Sequence, residues 1–275
     1  MNAIRKWKEC CGGSGVLAWL TLAVAGVWII MAAASLLHFD GFFSAWLTLP
    51  ARPWVFITRP WTIVTYMFVH FDFLHMLFNA AWLYWFGRIL LISLQDRHLA
   101  YFFIGGGIAG GVFFIVASAL GHGGASLCGA SAAVIAVMCG AAVRMPDHRI
   151  SLLLIGEVKL KWVALACCAL TFLGGGGSQS AHIGGLVWGT ANAILINRGF
   201  DPTARIRKLT LRRKSPVCAD GRRRDPAAMA ETLRKRLDDM QRLDMLLDKI
   251  RISGYESLSA RERRELNDLS KRIKR

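Results

Sequence analysis

The chain has 275 residues, with 34 Lys+Arg against 18 Asp+Glu, a formal net charge of +16 and 54% hydrophobic residues. Its mean hydropathy is +0.39 and only 19% of residues are charged, whereas a soluble domain carries about a quarter. The charge is also segregated, since 23 of the basic and 12 of the acidic residues follow Asn197. This pattern excludes a soluble two-domain enzyme and a disordered chain, and leaves an apolar membrane body with a basic soluble tail.

Residues 1–15 form a basic N-terminus carrying Arg5, Lys6 and Lys8, expected in the cytoplasm. The apolar run Val16–Leu37 that follows is too long for the core of a signal peptide and has the length of a spanning helix. It is read as an uncleaved first span. The region His38–Val69 is rich in rings, including Phe42, Phe43, Trp46, Trp54, Phe56 and Trp61. Such a segment is expected to lie in the outer interface, where amphipathic rings prefer to sit. Five further spans are expected at about 74–95, 98–120, 131–145, 158–173 and 181–197, by the apolar length that a bilayer requires. The fourth begins abruptly at Ser131 after a Gly-rich stretch. The fifth is free of charge only from Trp162 to Leu173, with Lys159 and Lys161 expected to snorkel at its inner end. Between these two spans, Pro146-Asp147 opens a small hairpin that ends at Val158–Lys161. Placing the N-terminus inside puts every basic residue before the tail, except Arg52 and Arg59, on the inner side. The positive-inside bias therefore orients both termini to the cytoplasm, in a cell (inner) membrane.

After Asn197 comes a linker, residues 198–224, with basic runs at Arg212–Lys214 and Arg222–Arg224. Two readings stand for it: a positive-inside stop signal and solvated linker, or a contact for anionic lipid of the inner leaflet. Without interleaved aromatic residues it does not indicate nucleic acid. Residues 225–275 carry two amphipathic helices. The first starts at Asp225-Pro226 and stops at Gly254, and the second starts at Ser259 with Glu262 completing a capping box. This cytoplasmic helical hairpin packs on itself or offers a face to a partner protein or a second copy. The fold class is all-α: a polytopic bundle of six transmembrane helices over residues 16–197, plus the small soluble hairpin. The seven cysteines show neither a disulfide framework nor zinc spacing.

Polar residues inside apolar spans are costly to bury and therefore point to function. Four stand out. His75 and Asn79 lie four apart on one face of the second span, Ser131 heads the fourth, and His182 heads the sixth. All four enter their spans from the outer side, so they are expected at similar depth. An imidazole can take the proton of a serine hydroxyl, and a His–Asn pair with the Ser131 N–H can donate to an oxyanion. His70, His75 and His182 lack an acidic or thiol partner that would complete a metal site, and no cofactor is indicated. Small residues recur every four positions at Ala181, Gly185, Gly189 and Ala193, and at Ala132, Ala136 and Gly140. Such faces let helix backbones approach closely, which would bring the hydroxyl and imidazole together.

These residues resemble the rhomboid family of intramembrane serine proteases over roughly residues 15–197. The family's HxxxN is matched by His75 and Asn79, its further upstream His by His70, its GxSG by Gly129-Ala130-Ser131, and its AHxxGxxxG by Ala181, His182, Gly185 and Gly189. The resemblance implies a six-helix bundle, Ser131 as nucleophile, His182 as general base and then acid, and His75, Asn79 and the Ser131 amide as oxyanion donors. It implies transmembrane proteins as substrates and the fifth helix as a lateral gate. Two positions depart from the pattern: Ala132 replaces the Gly after the serine, and the family's Trp-Arg pair appears as Trp61-Thr62 with Arg59 before it. The tail is similar to appendages on rhomboids of the Bacteroidetes type. The function expected is intramembrane proteolysis; a catalytically inactive protein that binds transmembrane clients is the alternative.

Overall fold

Side chains that reach back to free N–H groups set where the first long helices begin. In the computed structural model the described residues are 7, 9–38, 40–152, 156–173, 177–204, 242–243, 245–250 and 257–273. The element order is α1 (Gly15–Ser35), α2 (Asp40–Leu47), β1 (Leu49–Pro50), α3 (Pro53–Thr58), α4 (Thr62–Thr65), α5 (Phe73–Ser93), α6 (Asp96–Ala119), β2 (Ser126–Leu127), α7 (Ser131–Arg144), β3 (Arg149–Leu152), β4 (Gly156–Lys159), α8 (Leu160–Leu173), α9 (Gln179–Asn197) and α10 (Ala260–Ile273). The Ser14 hydroxyl caps α1 by accepting the Leu17 N–H at 3.0 Å, and Asp96 accepts the Gly15 and Val16 N–H groups at 3.2 and 3.3 Å. Asp72 caps α5 through the His75 N–H, and Gln95 forms a capping box with His98 at the start of α6. Helices α7 and α9 begin with no side-chain cap, so their first N–H groups have no acceptor within the helix.

The chain is mostly helical. Two short antiparallel ladders join the helices that the all-α expectation contained. One pairs Leu49 with Leu127 and Pro50 with Ser126, and the other runs from Arg149–Lys159 to Leu152–Gly156. The second ladder is the hairpin expected after Pro146-Asp147. It takes Lys159 into β4, so that Lys159 and Lys161 both reach Asp147, at 2.9 and 3.1 Å. Their hydrogen bonds hold the Asp147 carboxyl below the usual carboxylate range.

Helices α1, α5 and α6 are long and apolar enough to cross a membrane, and α7 and α8 are shorter apolar helices. The centre of the body is the contact among α6, α7 and α9, built on missing side chains. A Cβ on Gly185 or Gly189 would overlap the carbonyl oxygen of Ala132 or Ala136. One on Gly184 would lie 2.6 Å from the Ala109 carbonyl oxygen. The glycine run of α6 also accepts bulk: Gly105 faces the Trp188 ring and Gly107 faces Met67. By contrast α8 packs lightly on α7 and α9, burying Val163 and Ala164 while Trp162, Leu165 and Leu170 stay exposed.

The segment between α1 and α5 presents Phe42, Trp46, Trp54 and Trp61 at the surface. Trp46 and Trp61 stack with centroids 6.0 Å apart, the Arg59 guanidinium lies 4.4 Å over Trp46, and Trp61 Nε1 donates to the Trp46 carbonyl at 2.9 Å. Arg59 thus engages a tryptophan of another helix despite its shifted place in the sequence. At the opposite end, Arg97 donates to the buried Thr203 hydroxyl at 2.8 Å, and His98 Nε2 meets Asp201 at 3.2 Å. Burial opposes ionisation of Asp201, but hydrogen bonds from the Thr203 hydroxyl and N–H, with His98 and Arg97 nearby, hold its carboxyl down at about 2. This clasp ties the segment after α9 to the start of α6.

The chain divides into two compact units, Met1–Arg207 and Lys208–Arg275. Within the second, Leu246 and Leu258 are buried together with Leu243, Ile250 and Leu266 around them. Arg242 pairs with Glu265 and Lys249 with Glu262, at 2.9 and 2.8 Å. Ser259 and Glu262 exchange the two bonds of a capping box. The basic N-terminal residues Arg5, Lys6 and Lys8, the run 205–224, Cys218, and the expected helix limits at Asp225-Pro226 and Gly254 lie outside the described residues.

Candidate active site

The turn Cys128-Gly129-Ala130 delivers the chain to Ser131, the first residue of α7. Gly129 has φ +102°, a conformation that side-chain-bearing residues rarely adopt, and a Cβ there would lie 2.7 Å from Cε1 of His75. Two hydrogen bonds hold the turn: the Gly129 N–H donates to the Tyr66 carbonyl at 2.9 Å, and the Ala130 N–H donates to His70 Nε2 at 3.2 Å. The Tyr66 hydroxyl in turn donates to the Gly107 carbonyl of α6 at 2.7 Å.

From this turn the Ser131 hydroxyl lies 2.7 Å from Nε2 of His182, in the first turn of α9. With the hydroxyl donating, the neutral ring carries its proton on Nδ1. That nitrogen is buried and has no hydrogen-bond partner among the described residues. The pair is therefore a dyad, positioned by helix packing and not by a carboxylate. Gly185 and Gly189 supply that packing, one and two turns along α9 from His182.

Asn79 is 6% exposed and donates one amide hydrogen to the His75 carbonyl at 2.8 Å, so its second amide hydrogen remains to be given. The His75 ring stands edge-on to His70, centroids 5.0 Å apart, against the face of Gly129. A cavity of about 310 Å³ has Ser131 and Asn79 in its wall. The rest of the lining is apolar or weakly polar: Trp82 and Phe86 of α5, Val134, Ile135 and Met138 of α7, and Cys167, Leu170 and Thr171 of α8. The N-terminus of α7, the positive end of its helix dipole, begins at Ser131, a residue of the cavity wall.

Ala132, which replaces glycine in the expected motif, points away from the dyad. It is 1% exposed, and its methyl group occupies the place a side chain on Gly110 would take: a Cβ there would be 2.5 Å from it. The methyl is accommodated by α6 and leaves the Ser131 N–H untouched.

Of the residues expected from the sequence, His182 bonds the Ser131 hydroxyl, Asn79 shares the cavity wall with Ser131, and His75 packs on Gly129, while Gly185 and Gly189 lie one and two turns further along α9. Reasoning from sequence did not supply Tyr66, the His70–Ala130 bond, Gly110 or the cavity wall. The glycine run of α6 was a visible signal for Gly110; nothing in the local sequence distinguishes Tyr66. Among the described residues no group of three His, Cys, Asp or Glu could hold a metal ion.

These features define a helical membrane protein with a part-buried serine–histidine pair beside an apolar cavity. A model of the Rhomboid domain matches residues 58–199, more than half of the chain, and the chain belongs to the rhomboid family. A family of unknown function (DUF6576) matches residues 233–272. No curated protein matches the chain.

Proposed function

We propose that this chain is an intramembrane serine endopeptidase that cleaves membrane-anchored proteins in or near a transmembrane segment. The observation that carries the proposal is the 2.7 Å bond between Ser131 Oγ and His182 Nε2 at the wall of the cavity. His182 takes the hydroxyl proton as Oγ attacks the scissile carbonyl. The developing oxyanion accepts hydrogen bonds from the Ser131 N–H, the second amide hydrogen of Asn79 and the His75 ring. One such donor is worth about 3–4 kcal/mol in comparable sites. His182 then protonates the leaving amine. In the second half, it deprotonates a water that hydrolyses the acyl-serine and returns the proton to Oγ.

The remaining features fit this reading. Three further spans, α7, α8 and α9, join α1, α5 and α6 to make six, with both termini in the cytoplasm of a cell whose inner membrane holds the protein. The protease domain covers 16–197, the basic linker 198–224 meets anionic lipid, and 225–275 forms the cytoplasmic hairpin. The lightly packed α8 acts as the lateral gate through which a transmembrane substrate reaches the cavity. The apolar wall receives one of its side chains.

The test compares wild type with Ser131→Ala and His182→Ala, using a fluorophosphonate probe and a model transmembrane substrate in vesicles. The wild type labels and cleaves; both variants lose cleavage, and Ser131→Ala loses the label. A folded wild type that neither labels nor cleaves leaves the alternative, a client-binding protein without catalysis.

A further inference from the structure

We propose that His70 is a positioning residue that aims the oxyanion-binding N–H of Ser131 by acting as a hydrogen-bond acceptor for the turn before it. The inference rests on the protease reading. His70 is 1% exposed and lies outside the dyad. Its two ring nitrogens face backbone groups of opposite kind. Nε2 faces the Ala130 N–H at 3.2 Å and must accept, while Nδ1 faces the Phe68 carbonyl at 3.3 Å and must donate. One neutral tautomer satisfies both.

The geometry matters because Ala130 immediately precedes the nucleophile. The peptide plane between Ala130 and Ser131 carries the Ser131 N–H, and its tilt follows from the orientation of the Ala130 residue. Gly129, at φ +102°, gives the turn freedom that must be removed elsewhere. Two anchors remove it, both from the segment 66–70: the Tyr66 carbonyl takes the Gly129 N–H, and His70 takes the next one. Tyr66 is fastened to α6 by its hydroxyl, so the turn is referred to the rigid centre of the body. The Leu49–Leu127 and Pro50–Ser126 pairs fix the strand that leads into the turn. Beyond the turn, the Ala130 carbonyl accepts the Val134 N–H at 2.9 Å, so the Ala130–Ser131 plane is held from the helix on one side and, through the Ala130 N–H, by His70 on the other. Donors preorganised toward a developing charge contribute through their direction, so a small loss of alignment lowers turnover and not substrate binding.

The experiment measures kcat and KM for a model transmembrane substrate, fluorophosphonate labelling rate, and thermal midpoint, in wild type, His70→Phe, His70→Ala and His70→Gln. The amide oxygen of Gln reaches the place of Nε2 and accepts the Ala130 N–H. His70→Phe and His70→Ala are expected to lose about tenfold in kcat, with KM within about twofold, a milder loss than in His182→Ala. His70→Gln is expected to recover most of it, including where its thermal midpoint stays below wild type. Wild-type kcat in a folded His70→Phe or His70→Ala, or a His70→Gln no better than either at equal folded fraction, overturns the proposal. A wild type that fails to label refutes the protease reading itself, and so is distinguishable from both.

Discussion

The two sides of α7 are built differently. Toward α6 and α9 it meets backbone, with Gly106, Gly110, Gly185 and Gly189 removing the side chains that would hold the helices apart. Toward α5 and α8 it meets the cavity, and α8 leaves Trp162, Leu165 and Leu170 exposed. Dense packing transmits strain and admits few alternative arrangements, so the first side can keep the Ser131–His182 distance constant. A lightly packed helix lies at the low end of local stability, and under the proposed function α8 is the element that opens to substrate. Chemical geometry and access are thus stored on opposite faces of one helix, and the difference can be broken from either face.

The largest effect is expected at Gly185. A methyl group there meets the Ala132 carbonyl oxygen, a backbone atom that no rotamer change can move. Overpacking ordinarily costs about 1–3 kcal/mol, and this obstacle puts Gly185→Ala at or above the top of that range. Both the thermal midpoint and cleavage fall together. On the other face, truncating the exposed Leu165 of α8 leaves the midpoint nearly unchanged, as surface substitutions usually do. Equal losses at the two positions would dissolve the distinction.

A finer test uses Ala132. Gly110→Ala creates overlap with the Ala132 methyl at 2.5 Å, and it also approaches the Ala181 carbonyl oxygen at 2.9 Å. Adding Ala132→Gly relieves the first contact and leaves the second. The double variant is therefore expected to recover part of the lost midpoint, a coupling of roughly 0.5–3 kcal/mol for residues in contact. Additive losses would show that the Ala132 methyl and Gly110 are not a matched pair. Ala132→Gly alone should leave labelling of Ser131 near wild type, since the methyl faces α6.

What was legible in the sequence followed from cost. Ser131, His182, His75 and Asn79 announce themselves because uncharged polar groups in an apolar run demand partners, and the four-residue recurrence of small residues reveals which faces approach. The segments between the long helices were harder. The two-residue strands β1 and β2 are too short to leave a period, and they pair residues far apart in the chain. The bond from His70 to Ala130 depends on which ring nitrogen faces the turn, which no spacing encodes. Nothing local marks Arg97 or His98 as part of a clasp until the fold brings up Asp201 and Thr203, more than a hundred residues away. Ala132 looked like a departure in isolation, because its compensation lies on another helix.

The clasp of Arg97, His98, Asp201 and Thr203 supplies the smallest expected effect, and again the two faces differ. Asp201 closes the tight face by tying the segment after α9 to α6, whereas Asp147 sits near the N-terminal end of α8 with its lysines partly exposed. The Asp201 carboxyl is held at about 2, below the roughly 3.9 of an unfolded aspartate. A depressed folded value contributes stability above the unfolded value, and loses it as pH falls through the folded one. The window is therefore about pH 4 down to 2. Asp147 is also depressed, but an exposed pair contributes little. Thermal midpoints measured between pH 6 and pH 3 should fall less in Asp201→Asn than in wild type, while Asp147→Asn keeps the wild-type slope. An acid response carried instead by Asp147 would place the polar fastening of this body on α8, the helix that the packing leaves free.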